Sequence, residues 1–158
     1  MKSIVEKLDN DLPFEISSEL SQIYTYITQT PGSSLIFALY QNVAMREVVV
    51  ERLSSLVEKP FGELFLSQKN KDVVAQLQNH YKNRSKRKYG LLVYDLEETL
   101  PESLKNINLK REAMLDIKHP IIFWIREFAA QEIARNAPDF WGWRSEVFDF
   151  RFQHDRLA

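Results

Sequence analysis

Four short apolar runs, separated by segments with helical periodicity, constrain the fold of this chain more than any other feature. The runs are "LIFALY" (35–40), "FGELFLS" (61–67), "LLVYD" (91–95) and "IIFWI" (121–125). Three of the four are continuous rather than alternating, which is typical of strands covered on both faces in a parallel sheet. We therefore predict that 35–40 lies in the interior of a sheet, with 91–95 beside it.

The segments between the runs place apolar residues every three or four positions, as amphipathic helices do. These predicted helices are 44–58, 71–81, 101–115 and 127–137, with a further N-terminal helix at 15–30. Strands that alternate with helices of this length favour a parallel sheet with helices on both faces. The predicted fold is a three-layer α/β domain with about four or five mostly parallel strands. We expect a single domain over 1–158, whose α/β core at 35–150 ends in an aromatic segment.

The run "LLVYD" is followed by two glutamates, a pattern that is also typical of the magnesium-binding strand of P-loop NTPases. In those proteins the first strand leads into a glycine-rich loop that wraps the phosphates, followed by a lysine and a Ser or Thr. Here the first strand is followed by "YQNVAMRE", which contains no glycine and no lysine. The sequence therefore contains a strand of this type but no phosphate loop after the first strand. Asp95 is a weak candidate metal ligand, and the alternative for Asp95 is capping of the next loop or helix.

Composition excludes several other kinds of site. The chain has no cysteine, and its three histidines are far apart in sequence, so we expect no metal centre and no cofactor. The 21 basic and 22 acidic residues nearly cancel, so nucleic-acid binding would need a local patch. The basic run "KNRSKRK" at 82–88 is either such a patch or a solvated loop. No apolar stretch reaches the roughly 20 residues that span a bilayer, and we expect a cytoplasmic protein with no membrane partner.

The C-terminal half carries the most specific pattern, in "LKNINLKREAML" (104–115) and "HPIIFWIREFAAQEIARNAPDFWGWRSEVFDF" (119–150). It resembles bacterial domains that read LN-x-x-RE, then an apolar strand ending in FW, then APDFW-x-WRS-x-VF. Those domains lie at the head of tetratricopeptide-repeat and STAND-type (signal-transduction NTPase) proteins, many of them cyanobacterial. The resemblance covers about residues 20–150 and implies a degraded P-loop ATPase fold from a conflict or defence system. The matching positions are Asn108, Arg111, Glu112, Trp124, Ala137, Pro138, Asp139, Phe140, Trp141, Trp143, Arg144, Ser145 and Phe148.

The segment "PDFWGWRS" supplies the first candidate interaction residues, Trp141, Trp143 and Arg144. Most aromatic clusters belong to a core, but Trp and Arg also dominate the hot spots of binding surfaces. We predict that Trp143 is partly exposed with Arg144 near it. Arg144 is expected to stack on a ring or to reach Asp139 or Glu112. Trp124, inside an apolar strand, is expected to be buried.

Asn108, Arg111 and Glu112 are the other candidate interaction residues. Their spacings of three and four would place them together on one helix, either as a local polar network or beside a pocket. No catalytic constellation is recognisable, and we predict that the protein is not an enzyme. The predicted function is a signalling or adaptor domain that binds a protein or repeat-domain partner. Two alternatives stay open: a nucleotide-sensing module at the sheet edge, and a nucleic-acid-contacting domain that uses residues 82–88.

Overall fold

A computed structural model describes residues 12–151 of the chain. The strands are β1 (Ser34–Leu39), β2 (Gly62–Phe65), β3 (Leu91–Tyr94), β4 (Pro120–Ile125) and β5 (Glu146–Asp149). The α-helices are α1 (Phe14–Gln29), α2 (Val43–Leu56), α3 (Val73–His80), α4 (Ser103–Leu109), α5 (Glu127–Asn136) and α6 (Pro138–Gly142). A π-helical turn (Tyr81–Ser85) follows α3, and two 3₁₀ segments (Leu96–Thr99 and Arg111–Asp116) follow β3 and α4.

The strands form one sheet in the order β2-β3-β4-β1-β5, and every neighbouring pair is parallel. The interior position predicted for β1 is confirmed, because β1 pairs with β4 on one side and β5 on the other. The prediction that β3 lies beside β1 is wrong, since β4 separates them. A continuous apolar run indicates a strand that is buried on both faces. Because β3 and β4 both have this pattern, it does not determine which of them lies next to β1.

Helices cover both faces of the sheet, which confirms the predicted three-layer α/β fold. Alternate residues of each strand point to opposite faces. Ile36 and Trp124 therefore share one core with α1 and α2, whereas Phe37 and Phe123 share the other core with α3, α4 and α5. Trp124 is fully buried, as the sequence predicts.

The differences from the predicted elements have local causes. The predicted helix at 101–115 is interrupted at Lys110, whose backbone leaves helical geometry (φ −103°, ψ 14°), so α4 and a 3₁₀ segment replace it. The edge strand β5 was not predicted as a strand, because "EVFD" is short and carries a charge at each end. No helix within residues 12–151 is long and apolar enough to cross a membrane. The single domain predicted over 1–158 includes 1–11 and 152–158, which lie outside the described residues.

Candidate functional site

The carboxyl ends of the parallel strands share one edge of the sheet, which we call the carboxyl edge. Tyr40, Asp95 and Arg126 follow β1, β3 and β4 there. The helix after β1 (α2) packs on one face of the sheet, and the helix after β4 (α5) packs on the other. Where connections of neighbouring strands leave to opposite faces, they open a crevice in which open α/β sheets bind ligands. The crevice between β1 and β4 is therefore the expected place for a ligand site.

The connection from β1 to α2, residues 40–42, does not have the form of a phosphate loop. It contains no glycine, and Asn42 ends it as a helix cap, with its Oδ1 accepting a hydrogen bond from the Met45 N–H at 3.2 Å. A phosphate loop instead turns successive backbone N–H groups toward the ligand. The absence of a phosphate loop, predicted from the sequence, is confirmed at this connection.

Contacts within the protein itself bridge the β1/β4 crevice. The Tyr40 N–H donates to the Ile125 carbonyl at 3.1 Å and joins the two strand ends. Arg126 Nη1 donates to the Gln41 carbonyl at 2.7 Å. The guanidinium carbon of Arg126 also lies 4.8 Å from the centre of the Tyr40 ring. Arg126 thus links the end of β4 to the connection after β1 across the crevice.

A second arginine is buried beside this contact. Arg46 is only 7% exposed, and its guanidinium carbon lies 4.9 Å from the ring centres of both Tyr40 and Tyr94. Attraction between a cation and an aromatic ring is strongest where water is excluded. Arg46 Nη2 also contacts the Glu47 carboxylate at 3.0 Å, which partly balances the buried charge. Arg46 therefore holds α2 against the ends of β1 and β3.

Burial keeps both tyrosines neutral at physiological pH. It raises the pKa of the Tyr94 hydroxyl well above the ordinary value, and a 2.7 Å hydrogen bond to Glu63 Oε2 adds to the rise. Burial also raises the pKa of Tyr40, with a smaller contribution from the charge of Glu97. A neutral phenol donates one hydrogen bond and is a poor nucleophile. The tyrosines therefore supply ring surface and one hydrogen-bond donor each.

Glu97 connects the end of β3 to the start of α5. Its Oε1 accepts a hydrogen bond from the Arg126 N–H at 2.7 Å, where α5 begins. Burial raises the pKa of the Glu97 carboxyl; the hydrogen bond from Arg126 opposes that rise, and the nearby Asp95 charge adds to it. A carboxylate at the start of a helix is favoured by the helix dipole. Glu97 therefore has a structural role at the carboxyl edge, where it attaches the segment after β3 to the start of α5.

Asp95 follows β3 in the left-handed backbone region, with φ 66°. Aspartate adopts this conformation more readily than most residues. Its side chain makes no capping hydrogen bond to the 3₁₀ segment that follows, so Asp95 does not cap the next helix. Within residues 12–151, no group of three or more acidic or histidine side chains is arranged to hold a metal ion.

The predicted aromatic segment lies at the opposite edge of the sheet, which we call the amino edge because β1, β4 and β5 begin there. Phe140 is buried, and Trp141 packs on Phe37 with ring centres 4.9 Å apart. Trp143 is 39% exposed, which agrees with the predicted partial exposure. Of the three aromatic residues of the segment, Trp143 thus faces outward, whereas Phe140 and Trp141 pack on the core.

Arg111, rather than Arg144, contacts the exposed tryptophan. The Arg111 guanidinium carbon lies 5.4 Å from the centre of the Trp143 ring. Arg144 instead lies 4.7 Å from the Trp141 ring centre and donates to the Trp141 carbonyl at 2.8 Å. Stacking on a ring was among the expected roles of Arg144, but the ring is that of Trp141.

The structure brings Asn108 and Arg111 together but not on one helix. Because α4 ends at Leu109, the expectation that Asn108, Arg111 and Glu112 share a helix is wrong. Asn108 Oδ1 accepts a hydrogen bond from the Phe140 N–H at 3.0 Å, which attaches α4 to α6. Arg111 Nη1 donates to the Asn108 carbonyl and lies 3.9 Å from Asp139 Oδ2. Glu112 is exposed.

The basic run 82–88 precedes β3 and therefore also lies at the amino edge. Lys82, Arg84, Lys86 and Arg87 are exposed, and Lys88 is partly buried. None of these five cations forms a salt bridge within the part of the chain that the structure describes. The run contributes exposed positive charge to this edge.

Sequence reasoning did not identify Tyr40, Arg46, Glu97 and Arg126 as a group. Their signal is positional, because each comes directly or shortly after a predicted strand, and the ends of parallel strands share an edge. Recognising that Tyr40 meets Arg126 also requires knowing that β4 is the neighbour of β1.

No protein-family model matches the chain, and no curated protein matches it in sequence. Among solved structures it is similar to a DNA polymerase III gamma subunit-related protein of Thermotoga maritima. The identity is 14% and the TM-score 0.55, over 87% of this chain and 47% of that one. It is also similar to the ORC2 protein of Aeropyrum pernix in ADPNP-ADP complexes. There the identity is 9% and the TM-score 0.54, over 91% of this chain and 49% of that one.

The chain spans about half the length of each of these two structures. At such low identity the likeness concerns the fold alone. Together with the all-parallel five-stranded sheet, it shows that the chain has a P-loop NTPase-like α/β fold.

Proposed function

We propose that this protein is a non-catalytic domain with an NTPase-like fold that acts by binding a protein partner. The observation that carries the proposal is the set of contacts that bridges the β1/β4 crevice. Sheets of this kind bind ligands in that crevice, and here Arg126 joins Tyr40 and Gln41 across it. Phosphoryl transfer depends on donors and charges positioned around the phosphates. The connection of residues 40–42 offers no glycine-rich backbone or lysine for that purpose.

The proposed partner surface lies at the amino edge around Trp143. A partly exposed tryptophan with an arginine stacked on it has the composition of a binding hot spot. Leu115 is exposed and lines the same small cavity as Trp143 and Arg111, so apolar surface continues beside the ring. The resemblance of the aromatic segment to head domains of repeat proteins supports a cytoplasmic protein or repeat-domain partner from a conflict or regulatory system.

The proposal is tested by affinity capture from the native host with three forms of the protein. These are the wild type, Trp143→Ala and Phe128→Ala. Phe128→Ala is the matched control, because Phe128 is also an exposed aromatic residue but lies on α5, which begins at the carboxyl edge. We expect a partner that is retained by wild type and by Phe128→Ala and lost with Trp143→Ala. Equal retention by all three forms would contradict the proposed partner surface around Trp143. Stoichiometric nucleotide in the purified protein would contradict the proposal that contacts across the β1/β4 crevice take the place of a ligand.

A second candidate function, contact with nucleic acid, is favoured by the cations of residues 82–88, which form no salt bridge within residues 12–151. Cations without ion-pair partners remain available for phosphate groups, and such binding weakens steeply as salt rises. If the run binds nucleic acid, replacing Lys82, Arg84 and Arg87 with Gln should flatten the salt dependence of oligonucleotide binding. Replacing Lys69, Lys105 and Arg135, which lie outside the run, provides the matched control.

A further inference from the structure

A small cavity opens at the amino edge beside Trp143. Its volume is about 80 Å³, and its buried apolar wall includes Leu35, Ile121 and Phe140. Trp143 and the exposed Leu115 also line it. Ligand sites in proteins are concave and mostly apolar, with a few polar groups that fix orientation. A cavity of this size and lining suits one aliphatic side chain.

The polar groups that line the cavity fall into two sets. The Ser33 hydroxyl donates to backbone carbonyls, and the Ser145 hydroxyl accepts from a backbone N–H at 3.0 Å. In contrast, Ser34 Oγ and Arg111 Nε are buried and have no hydrogen-bond partner among the described residues. Ser34 is only 7% exposed. Since buried polar atoms are almost always satisfied, these two atoms call for a partner from outside the described residues.

The charge of Arg111 is incompletely balanced. Its nearest carboxylate is that of Asp139, at 3.9 Å from Nη1, and the Asp139 side chain is 62% exposed. Exposed ion pairs at this distance contribute little. One face of the guanidinium is covered by Trp143, and Nη1 is occupied by the Asn108 carbonyl. The unused Nε–H therefore favours an anionic acceptor, and a carboxylate matches a guanidinium in geometry as well as in charge.

An apolar cavity with one cationic donor and one hydroxyl selects an aliphatic group that has a carboxylate close to it. The carboxyl-terminal residue of a polypeptide has this chemistry, because its side chain and its carboxylate are attached to the same Cα. We propose that the cavity binds an aliphatic carboxyl-terminal residue, with its carboxylate on Arg111 Nε and the Ser34 hydroxyl. That this residue belongs to the protein partner rests on the proposed function.

The direct test uses N-acetyl-leucine as the probe, titrated into the ¹⁵N-labelled protein. The Trp143 indole N–H and the Arg111 Nε–H give separate signals in a ¹H–¹⁵N correlation spectrum, and both should shift in a saturable way. A ligand of this size is expected to bind with a Kd of about 1–10 mM. N-acetyl-leucinamide lacks the carboxylate and N-acetylglycine lacks the side chain, so each should bind at least about tenfold more weakly.

Two variants assign the binding to the cavity. Arg111→Gln should weaken N-acetyl-leucine binding about tenfold or more, as read from the Trp143 signal. Arg144→Gln is the matched control and should bind like wild type, because Arg144 lies on Trp141 and does not line the cavity. Ser34→Ala gives an independent reading if Arg111→Gln fails to fold, and it should weaken binding severalfold.

The inference is overturned if N-acetyl-leucinamide binds as tightly as N-acetyl-leucine, if Arg144→Gln weakens binding as much as Arg111→Gln, or if no saturable shift occurs. Because this titration needs no partner, its result is separate from the capture experiment. Binding of N-acetyl-leucine without partner capture contradicts the proposed function alone. Capture that depends on Trp143 without N-acetyl-leucine binding contradicts the carboxyl-terminal ligand alone.

Discussion

The two edges of the sheet use similar side chains in different ways. At the carboxyl edge, Arg126 lies against Tyr40 and donates to the Gln41 carbonyl, so both of its partners belong to the chain itself. At the amino edge, Arg111 lies against a tryptophan that is partly exposed, and its Nε has no partner among the described residues. An arginine on an aromatic ring thus joins two strand ends at the carboxyl edge, and an arginine on an aromatic ring lines a cavity at the amino edge.

Because of this difference, the candidate site does not lie at the edge where this fold usually binds ligands. In open α/β sheets the carboxyl edge is the usual ligand site, and the P-loop NTPase-like architecture of this chain would direct attention there. The partly exposed tryptophan and the small cavity beside it instead lie at the amino edge. A fold provides positions for a site, but the site itself has to be argued from its side chains.

The largest expected effect concerns the support of the carboxyl edge. Trp124 on β4 is fully buried and packs on Phe150 and Tyr40, with ring centres 5.3 and 6.5 Å away. Trp124→Ala should lower the free energy of unfolding by roughly 3–5 kcal/mol, because it leaves a large cavity. Urea unfolding followed by circular dichroism measures this change. An unchanged midpoint would show that the edge does not depend on this packing.

A pair of arginine substitutions sharpens the comparison between the edges. Arg46→Ala removes a buried cation from between two tyrosine rings and should cost about 2 kcal/mol or more. Arg144→Ala removes an exposed cation from one ring and should cost about 0.5–1 kcal/mol. Equal losses in urea unfolding would contradict the claim that the carboxyl edge is closed by desolvated contacts.

The partly buried carboxyl of Glu97 predicts a pH dependence. Since the pKa of Glu97 is raised in the folded protein, the folded state binds the proton more tightly than the unfolded chain. This contribution to stability is complete below the unfolded pKa of about 4.3 and is lost as the pH rises through the folded pKa. Glu97→Gln keeps an oxygen acceptor for the Arg126 N–H and removes that loss. Between about pH 4 and pH 7, the free energy of unfolding should fall less, or rise more, in the variant than in wild type.

The smallest effect on stability is expected at the amino edge. Trp143→Ala should change the free energy of unfolding by roughly 0.5 kcal/mol or less, because the side chain is partly exposed and follows a short helix. The same substitution should abolish partner capture, as argued above. If the substitution unfolds the protein, Trp143 is a core residue, and the interaction surface must lie elsewhere.

Local apolar patterns were sufficient to predict most of the sheet. β1, β3 and β4 are continuous apolar runs, and β2, whose pattern alternates, is an edge strand with Glu63 and Phe65 exposed. The position of β3 was wrong because a strand's own sequence does not specify its neighbour. β5 was not predicted as a strand, because it is short and ends in charged residues.

The candidate site was less predictable, because its contacts join distant parts of the chain. The Arg126 hydrogen bond to Gln41 spans 85 positions in sequence. Ser34 becomes part of a cavity with Arg111 and Trp143 only after the sheet brings the starts of its strands together. Composition predicted the partial exposure of Trp143, but the arginine that contacts it could be identified only from the three-dimensional packing.

The most direct test of the central claim is the release of phosphate from ATP in the presence of Mg²⁺ by the purified protein. With the β1/β4 crevice bridged by Arg126 and no phosphate loop after β1, we expect no release above a protein-free blank. The matched variant is Asp95→Asn, which removes the carboxylate at the end of β3 and should be indistinguishable from wild type. Phosphate release by wild type that Asp95→Asn abolishes would contradict the account, because it would place a working nucleotide site at the edge that we describe as closed.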